Sequence, residues 1–252
     1  MKVGQDPGHL WQPAGPDVLL RDDEVHVWRG TQKHPPSRAQ TLFSVLSPDE
    51  QERANRFYFQ RDREHFTVAR ATLRSILGNY LSLEPGQLSF CYSKYGKPFL
   101  AQEHNRKDLR FNLSHSHELM LIVVARGREL GVDIERIRPD VLKDGIAERF
   151  FSQLEVAMLR ALPAHLQADA FFNCWTRKEA YIKARGEGLS LPLDKFDVSL
   201  APGELAALLG TRIGPEELSR WSLRELAVGA GYAAAFVAEG RDWRLKGWQL
   251  LK

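Results

Sequence analysis

The chain has 252 residues, 43% of them apolar and 27% charged, with a formal net charge of +3. That composition excludes a fibrous or disordered protein and allows one large core or two smaller ones. No apolar run approaches the roughly 20 residues of a membrane span and the first nine residues lack the apolar stretch of a signal peptide, so a cytoplasmic protein that does not engage a membrane is expected.

In chain order, the opening segment is rich in Pro and Gly and reads as extended or loosely packed. Val25-His26-Val27-Trp28 alternates like a first strand. Leu46-Ser47-Pro48-Asp49-Glu50 has the chemistry of a helix start, with Ser47 as cap, Pro48 in the first position and acids in the first turn. A second helix over about residues 61–81 carries Phe66, Ala69, Leu73, Ile76, Leu77 and Tyr80 at helical spacing. Short strands are expected at 88–92, 98–100 and 111–113. Residues 119–125 and 130–134, separated by Arg126-Gly127-Arg128, read as a hairpin. Further on, Phe151-Ser152-Gln153-Leu154-Glu155 repeats the earlier helix start, and 169–184 is a long helix. Strands at 198–200, 221–226 and 232–237 would complete a second sheet, with a helical excursion over 201–217. Leu81-Ser82-Leu83 returns as Leu189-Ser190-Leu191, an offset of 108 that aligns Arg70 with Lys178 and supports two similar α+β halves joined near residues 113–120. Cys91 and Cys174 read as buried, reduced thiols, and no Cys/His spacing suggests zinc.

The chemistry concentrates in two stretches. In Gly131-Val132-Asp133-Ile134-Glu135, side chains two apart share a face, so the two carboxylates project together while Val132 and Ile134 face the core. The run Trp175-Thr176-Arg177-Lys178-Glu179-Ala180-Tyr181-Ile182-Lys183 contains no Gly or Pro, which sets Glu179 and Lys183 one turn apart on one helix face. Taken singly, an Asp-x-Glu at a strand end is usually a solvated edge, and a Glu–Lys pair at this spacing is a surface contact of about 0.2–0.5 kcal/mol. Together they are three carboxylates that can converge beside a lysine, which suits a hard divalent cation holding a phosphate. Arg53, Arg56, Arg61, Arg63, Arg70 and Arg74 cluster in one helical region; Arg53, Arg70 and Arg74 are interleaved with apolar residues and are better placed to matter than Arg61 and Arg63.

With their flanks these stretches resemble a known family. Tyr95-Gly96-Lys97-Pro98, then Phe111-Asn112-Leu113-Ser114-His115-Ser116, then Gly131 to Glu135, then Trp175 to Ala184 and Gly186-Glu187-Gly188-Leu189 are similar to the ordered signatures of the surfactin-type (Sfp-type) 4'-phosphopantetheinyl transferases. The resemblance spans residues 24–237 and implies an α+β fold of two similar halves related by pseudo-twofold duplication, with the cofactor cleft between them. The division is then an extension over 1–23, a first half over 24–116 and a second half over 117–252 that carries the metal site.

The activity implied is transfer of the 4'-phosphopantetheine arm of coenzyme A to a serine of an apo acyl or peptidyl carrier protein, releasing adenosine 3',5'-bisphosphate. Asp133, Glu135 and Glu179 are then the Mg²⁺ ligands, and Lys183 approaches the pyrophosphate. Ser114 and His115 contact coenzyme A, Lys97 its adenine or phosphate side, and Arg53 its 3'-phosphate. Where some relatives carry a lysine near that last position, this chain has Glu50. The general base is Glu179 in the reading favoured, with His115 or a water as alternatives. Trp175 reads as packing, and Gly186 as a helix cap. A nuclease would place acid and lysine two apart on one strand and would need a basic–aromatic stripe that is not evident, so no nucleic-acid partner is expected. A silent binding relative would not require the complete set of ligands. Two halves in one chain suggest that a monomer builds the cleft.

Overall fold

The computed structural model describes residues 10–15, 18–105 and 108–250. After a short strand β1 (Trp11–Pro13), the first alternating run becomes β2 (Glu24–Thr31), followed by the helices α1 (Pro36–Phe43), α2 (Pro48–Asn55) and α3 (Gln60–Leu81). Ser47 and Glu50 close a reciprocal capping box at the start of α2. Strands β3 (Phe90–Tyr92) and β4 (Pro98–Leu100) form a ribbon. Next come β5 (Leu109–Ser116), β6 (Leu119–Arg126) and β7 (Leu130–Arg136), then α4 (Ile146–Phe150), α5 (Gln153–Ala161) and α6 (Ala164–Arg185). Gly186 ends α6 with φ 72°, the left-handed cap its position implies. The chain continues through β8 (Phe196–Val198), β9 (Leu208–Thr211), α7 (Glu217–Arg220), β10 (Trp221–Glu225), β11 (Tyr232–Glu239) and β12 (Arg244–Gln249).

Two sheets carry the architecture, one in the order β1-β12-β2-β6-β5 and one in the order β10-β11-β7. Both carry buried apolar side chains on both faces, so they stack back to back and take a helix on each outer side. Between the sheets, Val25, Val27, Leu121 and Val123 meet Val132, Ile134, Ala234 and Phe236. Outside the first, Phe111, Ile122 and Val124 pack against Leu73, Ile76, Leu77 and Tyr80 of α3. Outside the second, Ala233, Ala235 and Val237 pack against Ala180, Tyr181 and Ala184 of α6. Each large aliphatic side chain buried this way contributes roughly 1.5–3 kcal/mol. The result is the duplicated α+β architecture, with one 22-residue helix per half.

The structure corrects several expected elements. β6 and β7 do not form a hairpin: both edges of β6 are taken, by β2 and β5, so β7 crosses to the second sheet and pairs with β11. Residues 201–217 are not a helical excursion. Their Ala-Leu run is too short to nucleate between Gly203 and Gly210, and β9 instead pairs with β8 in a ribbon of its own, outside the second sheet. Helix α1 and strands β1 and β12 carried no signal strong enough to be expected. Sheet membership also cuts across a division at residue 116, because β6 and β12 complete the first sheet. Cys91 is exposed, while Cys174 is buried as expected.

Candidate active site

Gly131, Asp133 and Glu135 share the face of β7 that looks toward α6. A Cβ on Gly131 would overlap the carbonyl oxygen of Ala180 and the amide nitrogen of Ala184, so only glycine lets the helix lie this close to the strand. That approach delivers Lys183 to Asp133, with Nζ 2.6 Å from Oδ1. Glu179, one turn earlier, lines the same cleft as Asp133 and Glu135.

β5 supplies the other wall. It is an edge strand of the first sheet and β7 an edge strand of the second, and they are joined by side chains instead of a backbone ladder. Asn112 Oδ1 accepts from the Val132 amide at 2.9 Å. The Ser114 hydroxyl donates to Asp133 Oδ1 at 2.9 Å and accepts from Lys183 Nζ at 3.1 Å. Ser116 donates to Glu135 Oε2 at 2.8 Å and accepts from the Arg136 amide at 3.1 Å. From Asn112 to the end of β5, every second residue therefore reaches across the seam.

Charge in the cleft is unbalanced. Burial and the neighbouring charges of Asp133 and Glu135 raise the Glu179 carboxyl to about 7, against the opposing pull of Lys183. Burial and Asp133 also raise Glu135, more than the Ser116 hydrogen bond lowers it. Enclosure by the cleft, together with His65 and Lys183, holds the His115 imidazole below its usual value. Asp133 is 3% exposed, and its Oδ2 is buried without a hydrogen-bond partner. Among the described residues no three His, Cys, Asp or Glu side chains close to a geometry that could hold a metal ion, so the expected convergence is a shared cleft and not a formed ligand shell. The donor set still fits a hard cation: it offers carboxylate oxygens only, one of them orphaned, and two of its acids are raised by like charge.

Two cavities meet here. One of about 420 Å³ is lined by Leu113, Ser114, His115, Asp133, Trp175, Glu179 and Lys183, and Glu135 joins it to a second of about 550 Å³. The second brings Arg61 and His65 of α3 opposite Arg136 and Arg138, so both halves line it. Trp175 stacks on Phe171 at 13° and also faces the smaller cavity; it packs and lines at once.

Not every expected residue arrives in this cluster. Lys97 lines a different cavity, and its ammonium donates to Glu129 and to the carbonyls of Leu130 and Ala184, tying the start of β7 to the end of α6. Arg53 is exposed, with its guanidinium over the Phe66 ring at 5.2 Å, and lines neither cavity. Arg70 and Arg74 both bind Glu50 and so are committed to the fold. Ser116 is not among the residues the sequence singles out; the period-two spacing of Asn112, Ser114 and Ser116 is the signal that points to it.

Comparison with known proteins divides the chain near residue 128. Residues 129–237 match the model of the 4'-phosphopantetheinyl transferase superfamily, and residues 28–127 that of a 4'-phosphopantetheinyl transferase N-terminal domain. The 4'-phosphopantetheinyl transferase HetI of Nostoc sp. is 42% identical over 240 residues, covering 95% of this chain and 98% of its own length. The chain belongs to the Sfp-type 4'-phosphopantetheinyl transferases. Sfp itself, from Bacillus subtilis, is 33% identical over 203 residues, 80% of this chain and 86% of that protein. The protein is therefore a 4'-phosphopantetheinyl transferase, and its partners are coenzyme A and a carrier protein.

Proposed function

We propose that the cleft between β5, β7 and α6 is where this transferase moves the phosphopantetheine arm from coenzyme A to a carrier serine. The observation that carries the assignment is the Asp133–Lys183–Ser114 cluster, faced by Glu179 and opening into a cavity lined by both halves. The serine oxygen attacks the β-phosphorus. The bond from that phosphorus to the bridging oxygen breaks, and adenosine 3',5'-bisphosphate leaves. A carboxylate near neutrality, as Glu179 is, suits the task of taking the serine proton. Lys183 donates toward the leaving phosphate, while Ser114 and His115 hold the pyrophosphate in line. Asp133, Glu135 and Glu179 would hold Mg²⁺, which when bound neutralises pyrophosphate charge. Arg53 and Lys97 remain assigned to the nucleotide end of coenzyme A.

The carrier docks beside Glu135, where Arg136 and Arg138 are exposed on the rim of the larger cavity and would steer an acidic partner. Among the described residues no helix is long and apolar enough to cross a membrane. A cytoplasmic monomer without nucleic-acid partners fits this picture. Incubation of an apo carrier with coenzyme A and Mg²⁺, followed by mass measurement, should show a gain of one phosphopantetheine. The unmodified mass would overturn the reading. Charge reversal at Arg136 and Arg138 should weaken the carrier's KM and spare that of coenzyme A.

A further inference from the structure

We infer that Ser116 is a positioning residue that aims the Glu135 carboxylate into the cleft, an inference that rests on the proposed metal reading of that site. A serine hydroxyl has one proton to give. The Arg136 amide points at Ser116 Oγ from 3.1 Å and occupies its acceptor side, so the proton is left to Glu135 Oε2 at 2.8 Å. Arg136 follows Glu135 in the chain, and the contact therefore fixes both the backbone and the side chain of the end of β7. Ser114 uses its hydroxyl the same way, accepting from Lys183 and donating to Asp133. The two hydroxyls, two residues apart on one strand, orient the two acids, two residues apart on the other.

The need for such a contact follows from where Glu135 lies. It is next to last in β7 and lines both cavities. Without a fixed donor its carboxylate could turn into the larger cavity, away from Asp133. Ser116 holds one oxygen and leaves the other free for a ligand. Partners of this kind, which touch the ligating group and not the metal, typically change affinity 10–100-fold when removed.

The test uses Mn²⁺ as probe, its free concentration read by electron paramagnetic resonance, with coenzyme A present and no carrier. Ser116→Ala should raise the Mn²⁺ dissociation constant by about tenfold or more, and Ser116→Thr, which keeps the hydroxyl in a strand-compatible side chain, should stay within about twofold. Should Ser116→Ala fail to fold, Ser116→Cys takes its place, since a thiol keeps the shape but donates weakly. An Mn²⁺ constant equal to that of wild type, with only a lowered Tm, would reduce Ser116 to a structural seam residue and overturn the inference. Absence of Mn²⁺ binding in the wild type would instead sink the metal reading, and this inference with it.

Discussion

Arg74 and Lys178 make the same buried contact in the two halves of the molecule. Each stands at the same position of a 22-residue helix, an offset of 104. Arg74 Nε binds Glu50 at 2.6 Å, and Lys178 Nζ binds Glu155 at 2.8 Å. Both glutamates are the reciprocal partners of a capping serine, Ser47 in α2 and Ser152 in α5. Each cation also donates to two backbone carbonyls, Pro85 and Leu88 in one half, Leu193 and Phe196 in the other. The duplication is thus preserved in a contact that holds each long helix to its neighbours.

That contact contributes to the acid sensitivity of the first half. Burial alone would raise the Glu50 carboxyl, but its hydrogen bonds and charge pairing with Arg74 and Arg70 bring it below the ordinary carboxylate value. A depressed folded value means that the contribution to stability is present above the unfolded pKa and is lost as pH falls through the folded one. Glu50→Gln should cost about 3–5 kcal/mol at pH 7, because it leaves buried Arg74 uncompensated. It should also flatten the decline of stability below about pH 4. Urea titrations at pH 7 and pH 3 check both parts, and equal losses at the two pH values would remove Glu50 as the source.

Gly131 should be intolerant of even one methyl group. Gly131→Ala drives a Cβ into the backbone of α6, so the helix must lift from β7 and carry Glu179 and Lys183 with it. A displacement near 1 Å at reacting groups costs on the order of a hundredfold in rate. We expect kcat to fall more than tenfold together with a lowered Tm. Wild-type activity in a folded Gly131→Ala protein would show that the close approach does not matter.

The acids of the cleft should be worth more to function than to stability. Glu179 is raised to about 7, so the folded state keeps a proton that the unfolded state has lost, and stability falls as pH rises from about 4.5 to 7. Mg²⁺ should therefore raise Tm more at pH 8 than at pH 5, where it must displace that proton. Glu179→Gln should raise the metal-free Tm at pH 8 by about 2–4 °C for each kcal/mol of relieved repulsion, while transfer drops at least a hundredfold. Asp133→Ala should lose transfer to a similar degree, and Glu135→Ala less. A lower Tm in Glu179→Gln would contradict the repulsion argument.

Arg53 and Lys97 should separate by kinetic signature. Arg53 is exposed, so Arg53→Ala should raise the KM for coenzyme A with little change in kcat. Dephospho-coenzyme A should largely erase that difference. Lys97→Met removes a donor shared by Glu129, Leu130 and Ala184, so it should lower Tm as well as affinity. If Arg53→Ala and wild type lose equally on changing to dephospho-coenzyme A, Arg53 does not touch the 3'-phosphate.

Much of this was legible in the chain because it is local. The Ser47–Glu50 box, the periodic run of α3, the shared face of Asp133 and Glu135 and the Gly186 cap all follow from spacing within a few residues. The pairing of β7 was not legible, because it depends on both edges of β6 being filled by strands distant in sequence. The offset of 108 aligned Arg70 with Lys178, whereas the structure aligns Arg74; the loop after α6 is four residues longer than the one after α3, and it shifts the register. Lys97 lies in a recognisable turn, but nothing near it in sequence announces the carbonyls of Leu130 and Ala184 that it binds.

The place of β12 bears on the order of events during synthesis. Residues 244–249 lie between β1 and β2, parallel to both, deep in the sheet of the first half. A ribosome that has released α3, β5 and β6 has made the helix and most of the strands of that half, yet its sheet stays open along β2 until the chain beyond β11 emerges. The first half must therefore wait, with an unpaired strand edge, for nearly all of the second. Duplication supplied two similar units, and this late strand makes them fold as one.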